Sequence, residues 1–186
     1  LGVMPLLVGS ETKKQKSYLT SDKTYEAEAV LGLATDTYDA MGLVTSFKPV
    51  DLKLANKFQK KLLSYHQTTI KQRYPAYSAF RIGKKSLHWW IKQGRFDEVE
   101  DKVPARERQI YQLESMSEPT AISLANYASK VIKQIDLVNR ENCFRQDEII
   151  EQWRQLASEQ PTTKLFTSKF RAKVSTGTYF RSLVQE

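Results

Sequence analysis

The chain has 186 residues, 40% of them apolar and 11% aromatic, enough to bury one sizeable core and far from the composition of a disordered segment. Its 29 Lys and Arg against 21 Asp and Glu leave a formal charge of +8, which favours a polyanionic partner and makes nucleic acid the leading class. A single cysteine, Cys143, and two histidines, His66 and His88, offer no intrachain disulfide and no zinc-ligand spacing, so the chain reads as cytoplasmic and free of metal.

The opening LGVMPLLVG is too short for a membrane span and has no basic leader, so a buried strand is expected over residues 3–8. Leu1 is not an initiator methionine and Glu186 follows directly on an apolar stretch, so both ends read as cut. ETKKQKSYL predicts a short helix, and the alternation of Tyr25, Ala27 and Ala29 in KTYEAEAVLGL predicts a strand. ATDTYDAMG holds the residues of tight turns and predicts a loop leading into a second strand, LVTSF. After Asp51, placed as an N-cap, Leu54, Phe58, Leu62 and Tyr65 recur at three and four residues and predict a helix with those four on one face.

Between Gln67 and Pro104, Tyr74, Tyr77, Phe80, Trp89 and Trp90 interleave with Arg73, Arg81, Lys84, Lys85 and Lys92. Cations contact phosphates while flat rings stack on unpaired bases, the usual grip on looped RNA. Trp89 and Trp90 equally suit a helix core, at helical spacing from Leu87 and Ile91. ERQIYQLE predicts a strand. Two amphipathic helices follow, one presenting Ile122, Ala125, Ala128, Ile132, Ile135 and Val138, the other Ile149, Ile150, Trp153 and Leu156 before Pro161. Residues 165–174 alternate as a strand, turn at Gly177 and enter a helix. There is no phosphate-binding glycine loop, Ser/His/Asp order or pair of metal carboxylates, and periodicity alone stops at a basic α+β domain.

The runs LGVMPLLVG, SDKTYEAEAVLGLATDTYDAMG, YPAYSAF and KVSTGTYFRSLV resemble, in this order, motifs of the bacterial TruB family of tRNA pseudouridine synthases. The resemblance implies an α+β fold with a mixed, largely antiparallel sheet. It also implies a monomeric isomerase that needs no cofactor or metal and turns a T-loop uridine of tRNA into pseudouridine by base flipping. The family's nucleophile is an aspartate in a GxLDPxAxG motif; Gly2 matches the last glycine of that motif, so the aspartate is expected before Leu1 and the chain alone is expected to be inactive.

By the same resemblance, Tyr25 stacks on the target base, Tyr179 lines the base pocket and Arg181 pairs with the nucleophilic carboxylate, holding it ionised. Without the resemblance Tyr25 reads as a core tyrosine of a strand, Tyr179 as packing at a strand end and Arg181 as a surface cation. Lys13 matches an RNA-contacting lysine, and residues 73–103 resemble a thumb-like element that clamps the T-arm, with Arg81 where a lysine is usual and His88 and Lys92 in place of a Tyr and an Arg. Residues 117–160 match nothing in the family pattern and are expected to be a helical insertion, while the family's C-terminal RNA-binding domain is absent from the chain. The competing reading is a TruB-like RNA-binding or ribosome-assembly factor without activity.

Overall fold

The structure, a computed structural model, describes residues 3, 5–139 and 144–185. The Gly2 match and Cys143 lie outside them. A 3₁₀ turn over Gly9–Lys14 runs into helix α1 (Gln15–Thr20), then strand β1 (Lys23–Leu31) and a hairpin of β2 (Leu33–Thr35) and β3 (Val44–Phe47). Helix α2 (Leu52–Leu63) and strand β4 (Thr68–Arg73) follow, then the small ribbon β5 (Arg81–Ile82) and β6 (Lys85–Ser86), and helix α3 (Leu87–Lys92). Strands β7 (Ala105–Ser115) and β8 (Thr120–Ser123), helices α4 (Leu124–Ile135) and α5 (Gln146–Glu159), strand β9 (Lys164–Val174) and helix α6 (Phe180–Leu183) complete the chain order.

The α+β class expected from the sequence forms around one sheet of order β1-β9-β7-β4, with β8 also paired to β9, and each of these pairings is antiparallel. Strand β9 is central. It pairs with β1 along its length on one side, and on the other with β7 near its C-terminal end and β8 near its N-terminal end. Phe170, Ala172 and Val174 point from β9 into a core shared with Ile70, Ile110, Leu62 and Leu183, while Lys169, Arg171 and Lys173 face solvent, the alternation a one-sided sheet requires.

Asp51 caps α2 as expected, its carboxylate accepting the Leu54 backbone N–H at 2.7 Å. The buried face differs in one member: Leu54 is half exposed, and Gln59 takes the inward position with Ala55 and Leu62. A buried amide is tolerated there because Gln59 Nε2 lies 2.5 Å from Ser115 Oγ, 2.8 Å from the Ser117 carbonyl and 3.0 Å from Ser168 Oγ. The amide thereby fastens the point where the chain leaves β7.

Two further expectations are corrected. Residues 3 and 5–8 form no strand, and Val3, Leu6 and Val8 are exposed; an apolar run becomes a strand only where it finds a partner, and this one pairs with nothing among the described residues. Ile122 belongs to β8 rather than to a helix, since Ser123 begins the helix by accepting the Asn126 N–H. The inward face of α4 is consequently Leu124, Tyr127, Ala128, Val131 and Ile135, packed on Ile149, Ile150 and Trp153 of α5. Trp90 packs with Leu87, Val99 and Val103 in a separate small core under α3, while Trp89 stays part-exposed edge-on to it.

Candidate functional site

The loop between β2 and β3 is built by its own acids. Asp39 Oδ1 accepts from Thr37 Oγ1 at 2.8 Å and from the Met41 N–H at 3.0 Å, and Asp36 Oδ1 accepts from the Leu43 N–H at 2.9 Å. Gly42 closes the turn where a Cβ would run into the Thr37 hydroxyl and the Asp36 carboxylate. These bonds leave the second oxygen of each acid free to face outward from the loop.

Arg181, on α6, takes Asp39: Nη1 lies 2.6 Å from Asp39 Oδ2, and Nη2 donates to the Tyr77 carbonyl at 2.5 Å. Its guanidinium also lies 5.7 Å from the centre of the Tyr179 ring, while Nε is buried and makes no hydrogen bond among the described residues. Tyr179 is itself fixed from β4, because the buried Gln72 side chain donates to the Tyr179 carbonyl at 3.0 Å and accepts its N–H at 2.8 Å. The Tyr77 hydroxyl donates to Asp36 Oδ2 at 2.9 Å, and burial together with that carboxylate pushes the phenol above its ordinary pKa. Arg145 meets the same carboxylate at 2.8 Å and lies 5.2 Å over the Tyr77 ring.

Two cavities flank the Arg181–Asp39 pair. The larger, about 890 Å³, lies between the loop, α3 and the start of α5, and is lined by Tyr77, Ser78, His88, Lys92, Phe144 and Arg145 as well as by the pair itself. The smaller, about 380 Å³, opens along β1 and is lined by Tyr25, Tyr38, Asp39, Phe180 and Arg181. Of the residues singled out in the sequence, Tyr25 and Arg181 thus share a cavity, and Tyr179 reaches Arg181 through its ring. Tyr25 is 41% exposed on β1, not a core residue.

The basic residues fall into two groups. Arg81, Lys84 and Lys85 are exposed around the β5–β6 ribbon, Lys85 lying 4.7 Å over the Trp89 ring, and Lys92 is exposed at the end of α3 beside the larger cavity. Lys13 is exposed on the 3₁₀ turn. Arg73 differs, for its guanidinium is tied to the carbonyls of Glu100 and Val103. Sequence reasoning missed Asp36, Asp39, Gln72 and Arg145. Acids in a turn read as turn formers, and only the repeat of Asp at three residues in ATDTYDAMG hinted that both carboxylates would face one way.

No group of His, Cys, Asp and Glu that could hold a metal occurs among the described residues, and no helix among them is long and apolar enough to cross a membrane.

The model of the TruB family pseudouridylate synthase, N-terminal domain, matches residues 1–130. The chain is 36% identical over 117 residues to the tRNA pseudouridine synthase B of Bacillus licheniformis, covering 63% of this chain and 37% of that protein. It is 33% identical over 117 residues to that of Geobacillus kaustophilus, covering 63% and 40%, and 35% identical over 98 residues to that of Clostridioides difficile, covering 53% and 32%. The match thus spans well under half the length of these relatives.

Proposed function

The chain belongs to the TruB family of pseudouridylate synthases, and on that premise we propose that the protein isomerises a uridine in the T-loop of tRNA to pseudouridine. The single observation that carries the reading is Arg181, which lines both cavities while its two terminal nitrogens are held by Asp39 and the Tyr77 carbonyl. A part-buried cation stabilises an ionised carboxylate beside it, the state a nucleophilic aspartate needs. The nucleophile itself is no residue of the described site.

On this reading the uridine leaves the loop stack and its flat ring lies against the exposed Tyr25 in the smaller cavity, with Tyr179 closing the pocket behind Arg181. Residues 73–103 act as the clamp on the T-arm, with Arg81, Lys84, Lys85 and Lys92 meeting phosphates and Lys13 adding a contact from the N-terminal side. Arg73 instead serves the clamp from within, holding its two ends together through Glu100 and Val103. The protein works as a cytoplasmic monomer without metal or cofactor.

The test expresses the complete gene and follows pseudouridine in a T-arm stem-loop RNA, with Arg181→Ala and an Asp→Ala change in any GxLDPxAxG motif the gene encodes. Product that vanishes in both variants supports the reading. Tight RNA binding without product from the unmodified protein would overturn it in favour of an inactive RNA-binding factor.

A further inference from the structure

The α4–α5 helix pair packs around the site loop. The core it builds on Leu124, Val131, Ile149 and Trp153 takes in Leu33, Val44 and Phe47 of the β2–β3 hairpin and Met41 and Leu43 of the loop between them. Polar contacts fix the same hairpin: Gln152 of α5 accepts the Val44 N–H at 2.6 Å and donates to the Val44 carbonyl at 3.0 Å, satisfying both backbone groups of one residue. The loop that carries Asp36 and Asp39 is therefore seated on the helix pair.

At the near end of α5, Arg145 adopts the left-handed backbone conformation at φ 62°, uncommon for a residue with a side chain, and in that pose reaches Asp36 at 2.8 Å. Asp36 is a junction. Its Oδ2 receives both Arg145 and the Tyr77 hydroxyl, and its Oδ1 receives the Leu43 N–H. Tyr77 then offers its carbonyl to Arg181 Nη2, while Asp39, three residues beyond Asp36, takes Arg181 Nη1. Both anchors of the Arg181 guanidinium thus run back to one carboxylate whose cation comes from the helix pair.

We propose that the helix pair is a brace for the site and that Arg145 is its positioning residue, acting through Asp36 and Tyr77 on the Arg181–Asp39 geometry rather than touching RNA. Without the guanidinium, part-buried Asp36 loses the one cation that the described residues bring to its outer oxygen, and the loop keeps the Gln152 and apolar contacts but loses its ion pair to the start of α5. The catalytic part of this inference rests on the function proposed above; the brace itself does not.

The test uses the complete protein as Arg145→Ala and Arg145→Lys, with Tyr77→Phe as a milder cut of the same path. Three quantities are read: the single-turnover rate of pseudouridine formation, the Kd for a T-arm stem-loop, and hydrogen exchange of the Met41 and Leu43 amides in free protein. Arg145→Ala is expected to slow the chemical step by about tenfold or more with Kd changed by less than about threefold, and to speed exchange of the two amides by about tenfold while β7 and β9 stay protected. Arg145→Lys restores most of both losses. Combining Arg145→Ala with Tyr77→Phe costs less than the product of the single effects, as members of one path do.

Unchanged exchange in Arg145→Ala overturns the brace, whatever the rate does. A rise in Kd with an unchanged rate overturns the positioning role and makes Arg145 a phosphate contact. Faster exchange in a protein whose unmodified form makes no pseudouridine upholds the brace and overturns the proposed function alone.

Discussion

The side-chain amide of Gln72 makes both of its hydrogen bonds to the backbone of Tyr179, one given at 3.0 Å and one received at 2.8 Å, across 107 residues of sequence. Arg181 follows Tyr179 by two residues, so β4 sets where the arginine begins. Gln72→Leu leaves the part-buried Tyr179 N–H without its acceptor, while the Tyr179 carbonyl keeps the Ser182 and Leu183 amides, and is expected to cost about 1–3 kcal/mol of stability in denaturant unfolding.

Arg181 serves two acceptors that stand apart, Asp39 and the Tyr77 carbonyl. A lysine carries the charge but presents a single point, so it cannot span both. Arg181→Lys is expected to reduce the single-turnover rate on the order of 100-fold, with RNA affinity little altered. A lysine variant with full activity would mean that charge alone is what the site needs.

Trp153 is almost fully buried between α4 and the β2–β3 hairpin, its ring centre 5.7 Å from that of Tyr127. Trp153→Ala should cost about 3–5 kcal/mol. Trp153→Phe should cost much less, because the indole N–H has no hydrogen-bond partner to lose.

Tyr127 has its phenol pushed up to about 12, by burial first and by the Glu28 carboxylate second. The raised value means the folded protein keeps the proton that the unfolded chain releases near 10. The associated stability is complete below pH 10 and is lost as pH climbs through about 12, at up to about 1.4 kcal/mol per pH unit. The stability difference between Tyr127→Phe and the parent protein should therefore be constant below about pH 10, and through that window the parent should lose stability relative to the variant, which has no phenol to titrate.

Binding of the T-arm should weaken linearly in log Kd with log salt concentration. Lys84→Ala and Lys85→Ala remove exposed cations of the β5–β6 ribbon, and each is expected to lower the slope by about 1. Arg73→Ala should leave the slope nearly unchanged, since that guanidinium is held by backbone carbonyls within the clamp.

Much of the sheet was legible: β9 alternates toward its C-terminal end and buries one face, and β1 carries Ala27 and Ala29 two apart, although an irregularity between Ile110 and Gln112 breaks the burial pattern of β7. Strand β8 was not, for four residues are too few to show a period and Thr120–Ser123 abuts a helix whose apolar spacing absorbs Ile122. The 3–8 run misled because apolar content signals burial only where a partner exists. In the site, Tyr25, Tyr179 and Arg181 were read through motif resemblance, but Asp39 as the ion-pair partner of Arg181 was not, since that contact joins residues 142 apart. Arg145 carried no signal at all in the sequence; its meaning comes only from meeting Asp36 in space.

The last rung of the β8–β9 ladder pairs Ser123 with Lys164, so the two chain ends from which the helix pair departs already stand side by side. Such a base behaves like a graft union: the ladder sets its register below the excursion, and doubling the excursion's length adds only about 0.6 kcal/mol of closure entropy, provided that what grows there still covers Leu165 and the hairpin. Foldability and catalytic geometry are then inherited separately. A transplant with matched ends would leave the sheet intact while taking away the arginine that reaches Asp36.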